Sequence, residues 1–327
     1  MKTCLVTGAS GFVGFNLAKR LVADGHSVHV LLRDQYQSWR MREIAERIEI
    51  HRTDLLDGPA LRTAVKTIRP DWIFHLAAFG AYSWQRDANK ILTTNVLGTS
   101  NLLNACLSTD FESFVNAGSS SEYGQIKNAP NETARLDPDS HYAVAKAAAS
   151  HLCRHTAIST GLHVVTLRLY SVFGPYEDPH RLLPAMVVQG LQKRLPKLVS
   201  PEIARDFVYI EDVVEAFILA ATAEKKGLGE IYNVGTGVQT TIQDVATVAK
   251  EEFGITDDPV WHTLQDRPWD TTTWVCDNSH IKAELGWTPK IDFRTGFRCM
   301  AKWFMEHPQI IDFYIAQRSS RSYEKRF

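Results

Sequence analysis

The chain has 327 residues, enough for one large or two modest domains with a full hydrophobic core. Its 36 basic and 37 acidic side chains give a formal net charge of −1, which argues against a nucleic-acid or anionic-membrane partner. No apolar run reaches the ~18 residues that span a bilayer. Residues 1–7 lead directly into a predicted strand, without a signal-peptide pattern.

The five cysteines are scattered along the chain and odd in number. This pattern predicts reduced thiols in a cytoplasmic protein rather than a disulfide framework. His151, Cys153 and His155 are close in sequence, but a spacing of two on a helix sends successive side chains to different faces. We therefore predict no metal site.

Short runs rich in β-branched residues alternate with longer amphipathic segments. The runs predict buried strands at residues 4–7, 27–32, 48–52, 72–76, 114–117 and 164–169. The segments predict helices that include residues 14–23, 58–68, 91–107 and 142–160. Such alternation is typical of an α/β fold with a doubly wound parallel sheet.

The pattern loosens after residue 174, where five prolines follow between residues 175 and 201. This change predicts a smaller lobe over the carboxyl ends of the strands, where open α/β sheets bind ligands. Residues 206–210 and 230–234 resemble further strands, which we expect to return to the main sheet. The polar residues 318–327 are expected to be loosely held.

A glycine-rich loop follows the first predicted strand and opens the first helix. Gly8, Gly11 and Gly14 have the spacing Gly-x-x-Gly-x-x-Gly, with Phe12 and Val13 between the last two. Glycine has no Cβ, so backbone N–H groups and the helix N-terminus can approach a pyrophosphate. The alternative is a simple glycine-rich turn, but the context favours a dinucleotide site.

Tyr142 and Lys146 lie four residues apart in a predicted helix and therefore share one face. A nearby ammonium favours the phenolate, so we expect Lys146 to lower the Tyr142 pKa from its usual value of about 10. A tyrosine tuned in this way can exchange a proton with an alcohol or a carbonyl. Together with the glycine loop, the pair predicts a redox site.

Ordered motifs over residues 1 to about 290 resemble the extended short-chain dehydrogenase/reductase family of nucleotide-sugar epimerases, dehydratases and reductases. Beyond the glycine loop and the Tyr142/Lys146 pair, the matching segments lie at residues 54–55, 75–78, 95, 168–175, 205–208, 233–235, 267–268 and 285–289. The resemblance implies a Rossmann NAD(P)-binding domain at residues 1–170 with about 205–237. A nucleotide-sugar-binding lobe would then comprise about 171–204 with 238–327.

The resemblance also implies roles for single residues. It puts Ser119 at the reacting sugar oxygen, Tyr142 as acid or base, and Lys146 on the nicotinamide ribose. The further cofactor residues that it implies are Asp54, Leu55, Ala77, Ala78, Tyr170 and Val172, with Asp54 on the adenine amino group. Asp54 could instead cap the helix near residue 58, and the serines after residue 118 could simply form a turn.

The same resemblance implies residues for the nucleotide sugar. They are Tyr82, Ser119, Ser120, Ser171, Arg181, Arg205 and Arg267. Arginine suits a diphosphate because its fork donates two parallel hydrogen bonds. Each arginine could otherwise be a solvated charge, and Tyr82, Ser83 and Trp84 could be an aromatic patch that packs the lobe.

The residue at the end of the second strand distinguishes NAD-using from NADP-using enzymes of the family. NAD-using members carry an acidic residue there. Here Leu32 occupies that position and Arg33 follows, and an arginine suits the 2′-phosphate of NADP. Asp34 comes next. We therefore favour NADP(H), with NAD(H) as the alternative.

The residues after Ser119 separate the possible reactions. Dehydratases of the family carry an Asp-Glu pair there, whereas this chain has Ser120 and Ser121, with Glu122 one residue late. Serine is not an acid or base near neutral pH without activation, so dehydration is disfavoured. An NADP-dependent 4-keto-(6-deoxy)sugar reductase is favoured, since the loop resembles that of such reductases. The alternatives are an NAD-dependent 4-epimerase and a non-catalytic dinucleotide sensor.

Residues 92–107 and 143–152 carry apolar faces, and in the family that the chain resembles these two helices pair across a two-fold axis. The family resemblance accordingly implies a homodimer. The alternative is that these faces only cover the sheet.

Overall fold

The computed structural model describes residues 1–36, 39–82, 84–224, 228–264 and 270–319. Eleven strands lie in these ranges. In chain order they are β1 (Thr3–Thr7), β2 (Ser27–Leu32), β3 (Glu49–Arg52), β4 (Trp72–His75), β5 (Ser113–Ser119), β6 (Val164–Leu169), β7 (Ser171–Phe173), β8 (Ala204–Arg205), β9 (Phe207–Tyr209), β10 (Ile231–Val234) and β11 (Thr240–Thr241).

Eleven α-helices lie in the same described ranges. They are α1 (Phe12–Ala23), α2 (Gly58–Ile68), α3 (Ala88–Leu92), α4 (Gly98–Cys106), α5 (His141–Thr160), α6 (Leu182–Gly190), α7 (Ile210–Thr222), α8 (Ile242–Phe253), α9 (Ser279–Leu285), α10 (Phe293–Glu306) and α11 (Pro308–Ser319). Short 3₁₀ turns and one π-helical turn, Thr93–Leu97, complete the regular structure.

Seven parallel strands form the central sheet in the order β10-β6-β5-β4-β1-β2-β3. The chain runs outward from β1 through β2 to β3, then returns to β4 on the other side of β1. Parallel sheets of this type bind ligands outside the carboxyl ends of the strands, at the point where the strand order reverses. That point lies between β1 and β4, so the fold class predicted from sequence is confirmed.

Helices cover both faces of the sheet. One buried core lies against α2, α4 and α5 and includes Leu61, Leu102 and Cys153. A larger core lies against α1 and α7 and continues into helices α6, α8 and α10. Because both faces are covered, the central strands carry continuous apolar runs rather than alternating ones.

The predicted helix at residues 91–107 is present in three pieces. Helix α3 begins earlier than predicted, at Ala88, and a π-helical turn separates it from α4. Asn95 lies in that turn, and its side chain exchanges two hydrogen bonds with the backbone of Phe79 after β4 (2.8 and 2.7 Å). A π-helical turn often occurs at a functional site; here it clamps the loop beyond β4.

Both segments 206–210 and 230–234 were predicted to return to the main sheet as strands. This is wrong for residues 206–210 and confirmed for residues 230–234. Strand β10 pairs in parallel with β6 at the edge of the main sheet. Strand β9 instead pairs in parallel with β7, in a separate two-stranded sheet. The position beside β6 is already filled by β10, so β9 cannot join the main sheet there.

The remaining elements lie beyond the carboxyl ends of the strands. Strand β8 pairs antiparallel with β11, and α6 packs against α8 and α10.

The prediction of a loosely held end is wrong for Arg318, which lies in α11 and donates a 2.8 Å hydrogen bond to the Pro179 carbonyl. The division into two domains stays a prediction. Among the described residues, no helix combines the length and apolarity that crossing a bilayer requires.

Candidate active site

The glycine loop turns tightly between β1 and α1. The Gly11 N–H donates to the Gly8 carbonyl at 2.9 Å. A Cβ at Gly8, whose φ is +72°, would lie 2.5 Å from the Leu76 carbonyl carbon, and one at Gly14 would lie 2.4 Å from the Gly8 oxygen. The N-cap residue of α1 is Gly11, which has no side chain that could accept hydrogen bonds from the first turn. The first N–H groups of α1 therefore remain available to a phosphate. Phe12 and Val13 are half-buried in that first turn. The loop therefore fits a dinucleotide.

The adenosine side of the predicted site lies at the ends of β2 and β3. Arg33 directly follows β2 and is exposed, and Leu55 is buried. Asp54 is exposed and accepts a 2.9 Å hydrogen bond from the Leu56 N–H. The alternative that Asp54 caps the next helix is wrong, because Asp57 caps α2.

Thr7 and His75 join the ends of β1 and β4. The Thr7 hydroxyl lies 2.7 Å from His75 Nδ1 and accepts from the Ala77 N–H at 3.2 Å. Burial, and then the positive charge of Lys146, lower the His75 pKa to about 3, so this imidazole is neutral. Ala77 is half-buried and Ala78 is exposed at the same end of the sheet. The carboxyl ends beside the glycine loop are thus held rigidly.

Ser119 ends β5 and caps the short turn Ser120–Tyr123. Its Oγ lies 2.7 Å from the Ser121 Oγ and accepts from the Ser121 N–H at 3.2 Å. The Glu122 carboxylate accepts a 2.9 Å hydrogen bond from the Ser119 N–H, which completes a capping box. The serine turn considered as an alternative is therefore present, and it also fixes Ser119.

The Glu122 side chain is fully buried, and beyond the Ser119 N–H its carboxylate meets only partners in the protein interior. Its carboxylate accepts from Arg168 Nε at 2.8 Å and from the Ser150 hydroxyl at 2.9 Å. Arg168 also donates to the Tyr123 hydroxyl, and Tyr123 donates to Asn233 (both 2.8 Å). A buried carboxylate engaged in this network is unavailable as an acid or base at the sugar. The sequence alone indicated the offset of Glu122 but not its ion pair.

Tyr142 lies in the first turn of α5, half-buried. Burial raises the pKa of its phenol to about 12, against a hydrogen bond from Ser119 and the positive charge of Arg181, which act to lower it. The expectation that Lys146 lowers this pKa below 10 is wrong for the protein alone, because the cost of desolvating a phenolate dominates. Ser119 and Tyr142 nevertheless meet, as predicted.

Lys146 is buried one turn further along α5. Its ammonium donates a 2.5 Å hydrogen bond to the Ala117 carbonyl in β5. Burial lowers the Lys146 pKa, while the Glu122 carboxylate acts to raise it. The fold therefore brings Ser119, Tyr142 and Lys146 to one place, at the carboxyl end of β5.

The residues after β6 lead from the main sheet into the separate strand β7. Tyr170 is buried, and burial raises its pKa beyond the usual range, with Cys276 and Tyr123 as further causes. Ser171 and Val172 are half-buried in β7.

An aromatic cluster lies near Tyr142, around Arg181. The rings of Tyr82 and Trp84 stack at 4.6 Å, and Trp84 lies edge-on to His180 at 5.4 Å. Arg181 lies 5.0 Å over the Tyr82 ring and donates to the Ala81 carbonyl at 3.2 Å. The aromatic patch considered from sequence is therefore present. Ser83 lies outside the described residues.

A second cluster joins the Ser119 turn to β8 and to residues 270–274. The Trp274 indole donates to the Ser120 hydroxyl at 3.2 Å. Arg205 lies 5.5 Å over the Trp274 ring and forms a 2.8 Å ion pair with Asp270. Sequence reasoning missed Trp274, because nothing local connects it to Ser120, 154 residues away. Arg267 lies outside the described residues.

The sequence matches the model of one protein family. Residues 4–235 match the NAD dependent epimerase/dehydratase family. The match covers the central sheet from β1 to β10, and with it the glycine loop, Ser119, Tyr142 and Lys146.

Curated relatives carry several activities. A trifunctional UDP-glucose 4,6-dehydratase/3,5-epimerase/reductase of Arabidopsis thaliana is 27% identical over 94% of this chain, which spans only 48% of that relative. The UDP-glucose 4-epimerase of Mycolicibacterium smegmatis is 30% identical over 93% of this chain and 99% of its own length. The dTDP-glucose 4,6-dehydratase of Neisseria meningitidis is 26% identical, with 94% of both chains covered.

Solved structures share the fold over nearly the whole chain. The UDP-glucose 4-epimerase of Thermus thermophilus, solved with NAD, is 31% identical with a TM-score of 0.82, covering 93% of this chain and 99% of its own. The UDP-glucose 4-epimerase of Thermotoga maritima, solved with UDP-glucose, is 26% identical with a TM-score of 0.83, covering 93% and 98%.

Proposed function

This chain is an enzyme of the NAD dependent epimerase/dehydratase family, within the extended short-chain dehydrogenases/reductases, and on that premise we propose that it reduces a nucleotide-diphosphate-linked 4-keto sugar. The observation that carries the proposal is the meeting of Ser119, Tyr142 and Lys146 at the carboxyl end of β5. A hydroxyl, a phenol and a buried ammonium can all act on one sugar oxygen there.

The glycine loop and the N-terminus of α1 would hold a nicotinamide dinucleotide, with Asp54 towards its adenine and Lys146 towards its ribose. When bound, that group supplies or accepts the hydride. The chain itself moves the proton: because the Tyr142 pKa is raised to about 12, the phenol is protonated at neutral pH and can donate to the sugar oxygen. Proton donation is what reduction of a ketone requires.

NADP(H) is our favoured cofactor. Arg33 is exposed immediately after β2, where the 2′ position of the adenosine ribose would lie. A guanidinium there can donate two parallel hydrogen bonds to a phosphate. An exchangeable NADPH suits net reduction.

A 4-epimerase is the second candidate function. Its support is the likeness to the Mycolicibacterium and Thermus epimerases, of which the latter was solved with NAD. An epimerase uses the same tyrosine in both directions, as base in oxidation and as acid in reduction. It also keeps its cofactor bound, which separates it experimentally from a reductase.

A dehydratase and a non-catalytic dinucleotide sensor are less well supported as functions of this chain. A dehydratase needs an acid and a base beside Ser119, but Ser120 and Ser121 stand there and Glu122 is paired with Arg168. A sensor would not need the complete set of Ser119, Tyr142 and Lys146.

The substrate would lie between the two clusters described above. Arg181 and Tyr82 lie near Tyr142 on one side, and Arg205 contacts the Ser119 turn through Trp274 and Ser120 on the other. We propose that the arginines bind the diphosphate, with Arg267 and Ser171 as further predicted contacts.

We further propose a homodimer that works in the cytoplasm. Its interface would be the exposed apolar side chains of the helices near residues 92–107 and of α5, among them Leu92, Leu97 and Val144. The five cysteines are free thiols, four of them buried, which suits a reducing compartment.

The first experiment identifies the nucleotide that denatured, purified protein releases, followed by NADH and NADPH titration of the cofactor-free form. Empty protein that binds NADPH much more tightly than NADH, and oxidises it only with a nucleotide-linked 4-keto sugar, supports the reductase. Stoichiometric NAD in the extract with weak NADPH binding overturns it in favour of the epimerase. Tyr142→Phe, with binding kept and turnover lost, separates either enzyme from a sensor.

A further inference from the structure

Two neighbouring strands at the edge of the sheet carry a cluster of side chains that the redox site does not use. His29 lies in β2, and Glu49 and His51 lie in β3. The register pairs His29 with Glu49 and Leu31 with His51. Residues two apart on a strand point to the same face, so all three side chains project from one face of the sheet.

The three side chains bring their ligand atoms together. His29 Nδ1 lies 3.0 Å from His51 Nε2 and 3.5 Å from a Glu49 carboxylate oxygen, and all three atoms lie within 4.8 Å of one another. A tetrahedral zinc with bonds of about 2.0–2.1 Å separates neighbouring ligand atoms by about 3.3 Å. The separations of 3.0 Å and 3.5 Å from His29 Nδ1 lie just below and just above that value.

We propose that His29, Glu49 and His51 bind a divalent transition-metal cation of the zinc class, with solvent as the fourth ligand. Two imidazoles and one carboxylate suit Zn²⁺, Co²⁺ or Ni²⁺, whereas Mg²⁺ and Ca²⁺ prefer oxygen ligands. Glu49 is exposed and His51 half-buried, so water can reach the ion.

The surroundings of His29 fit this role. Its other ring nitrogen, Nε2, lies 3.2 Å from the Ser27 hydroxyl. A metal-binding histidine commonly makes such a hydrogen bond through its second nitrogen, which fixes the tautomer.

The site lies away from the redox centre. His29 precedes the end of β2 by three residues, about 10 Å of extended strand. Strand β3 is the outermost strand of the sheet. A cation held by both strands would therefore fasten the edge strand, and the inference does not depend on the proposed reaction.

The test uses the full chain without a polyhistidine tag, stripped with a chelator and titrated with Co²⁺, whose four-coordinate complexes absorb strongly in the visible range. We expect one Co²⁺ per chain, displaced by Zn²⁺, and a Zn²⁺-dependent rise in melting temperature. His51→Asn and Glu49→Gln should each weaken binding by more than about 100-fold, and Ser27→Ala by about tenfold. Glu49 is exposed, so its variant keeps the test valid if His51→Asn folds poorly.

The matched control addresses the other histidines that could bind a metal. His151 and His155 are exposed one turn apart on α5, and the double variant His151→Asn/His155→Asn should keep the Co²⁺ spectrum. Loss of the spectrum in that double variant, its persistence in Glu49→Gln and His51→Asn, or no spectrum in the wild type at excess metal would each overturn the proposal.

Discussion

Glu122 and Arg168 form a buried ion pair directly behind the Ser119 turn. Glu122 Oε2 lies 2.8 Å from Arg168 Nε, and the two side chains are 0% and 2% exposed. Glu122 also closes the capping box through the Ser119 N–H. The Glu122 carboxylate thus stabilises the Ser119 turn and is not free to act at the proposed sugar site.

We therefore expect Glu122→Gln to act on stability. The change leaves the Arg168 charge buried without its partner and should lower the free energy of unfolding by about 3–5 kcal/mol. Urea denaturation measures this, with Glu306→Gln as control, because the exposed Lys302–Glu306 pair contributes at most about 1 kcal/mol. A stable Glu122→Gln protein that has lost only turnover would instead indicate a catalytic carboxylate.

Two glycines allow the cost of a steric clash to be separated from the cost of backbone strain. Gly8 and Gly25 both have positive φ (+72° and +81°), but a Cβ at Gly25 meets nothing within 4 Å, whereas one at Gly8 meets the Leu76 and Ala77 backbone. Gly25→Ala should cost about 1–2 kcal/mol of stability from strain alone. Gly8→Ala should cost more, and should also weaken NADH or NADPH binding. Equal losses in the two variants would contradict this account.

Arg33 should determine the preference for NADPH. Arg33→Ser should weaken NADPH binding by about 10- to 100-fold, the effect of losing a charged hydrogen bond of about 1.5–3 kcal/mol, and leave NADH binding unchanged. Fluorescence titration with both cofactors measures this. The control Arg62→Ser removes an exposed arginine from α2. Equal weakening of both cofactors would count against a 2′-phosphate contact.

The raised Tyr142 pKa has a consequence for pH dependence. Its folded value of about 12 exceeds the unfolded value of about 10, so its contribution to stability is complete below pH 10 and is lost as the pH rises through 12. In cofactor-free protein, the phenolate absorbance that Tyr142→Phe removes should appear only above pH 10. Tyr232→Phe, at a buried tyrosine outside the site, is the control. A Tyr142 phenolate already present near pH 8 would refute the proposed proton donor.

The proposed dimer can be tested at one of its most exposed apolar side chains. Leu97 is 54% exposed beside α5, and Met305 in α10 is equally exposed elsewhere. A buried charge at an interface is costly, so Leu97→Glu should give monomers, while Met305→Glu should leave the dimer intact. Sedimentation velocity distinguishes the two. A wild-type monomer would contradict the proposal outright.

Local patterns in the sequence were sufficient for the fold class and for locating much of the candidate site. The alternation of apolar runs and amphipathic segments predicts a parallel sheet, because strand and helix periods are properties of a few consecutive residues. The spacing of Gly8, Gly11 and Gly14 predicts the loop for the same reason. Tyr142 and Lys146 share a face of α5 because they lie four apart on it.

Only the tertiary structure decided the pairing of β9 with β7, the burial of Glu122 against Arg168, and the contact between Trp274 and Ser120. It also reversed the expected shift of the Tyr142 pKa, since desolvation outweighs the charges nearby. The cluster of His29 with His51 arises in the same way, from strands 22 residues apart. Each of these depends on residues distant in sequence, and neither desolvation nor strand pairing can be read from local spacing.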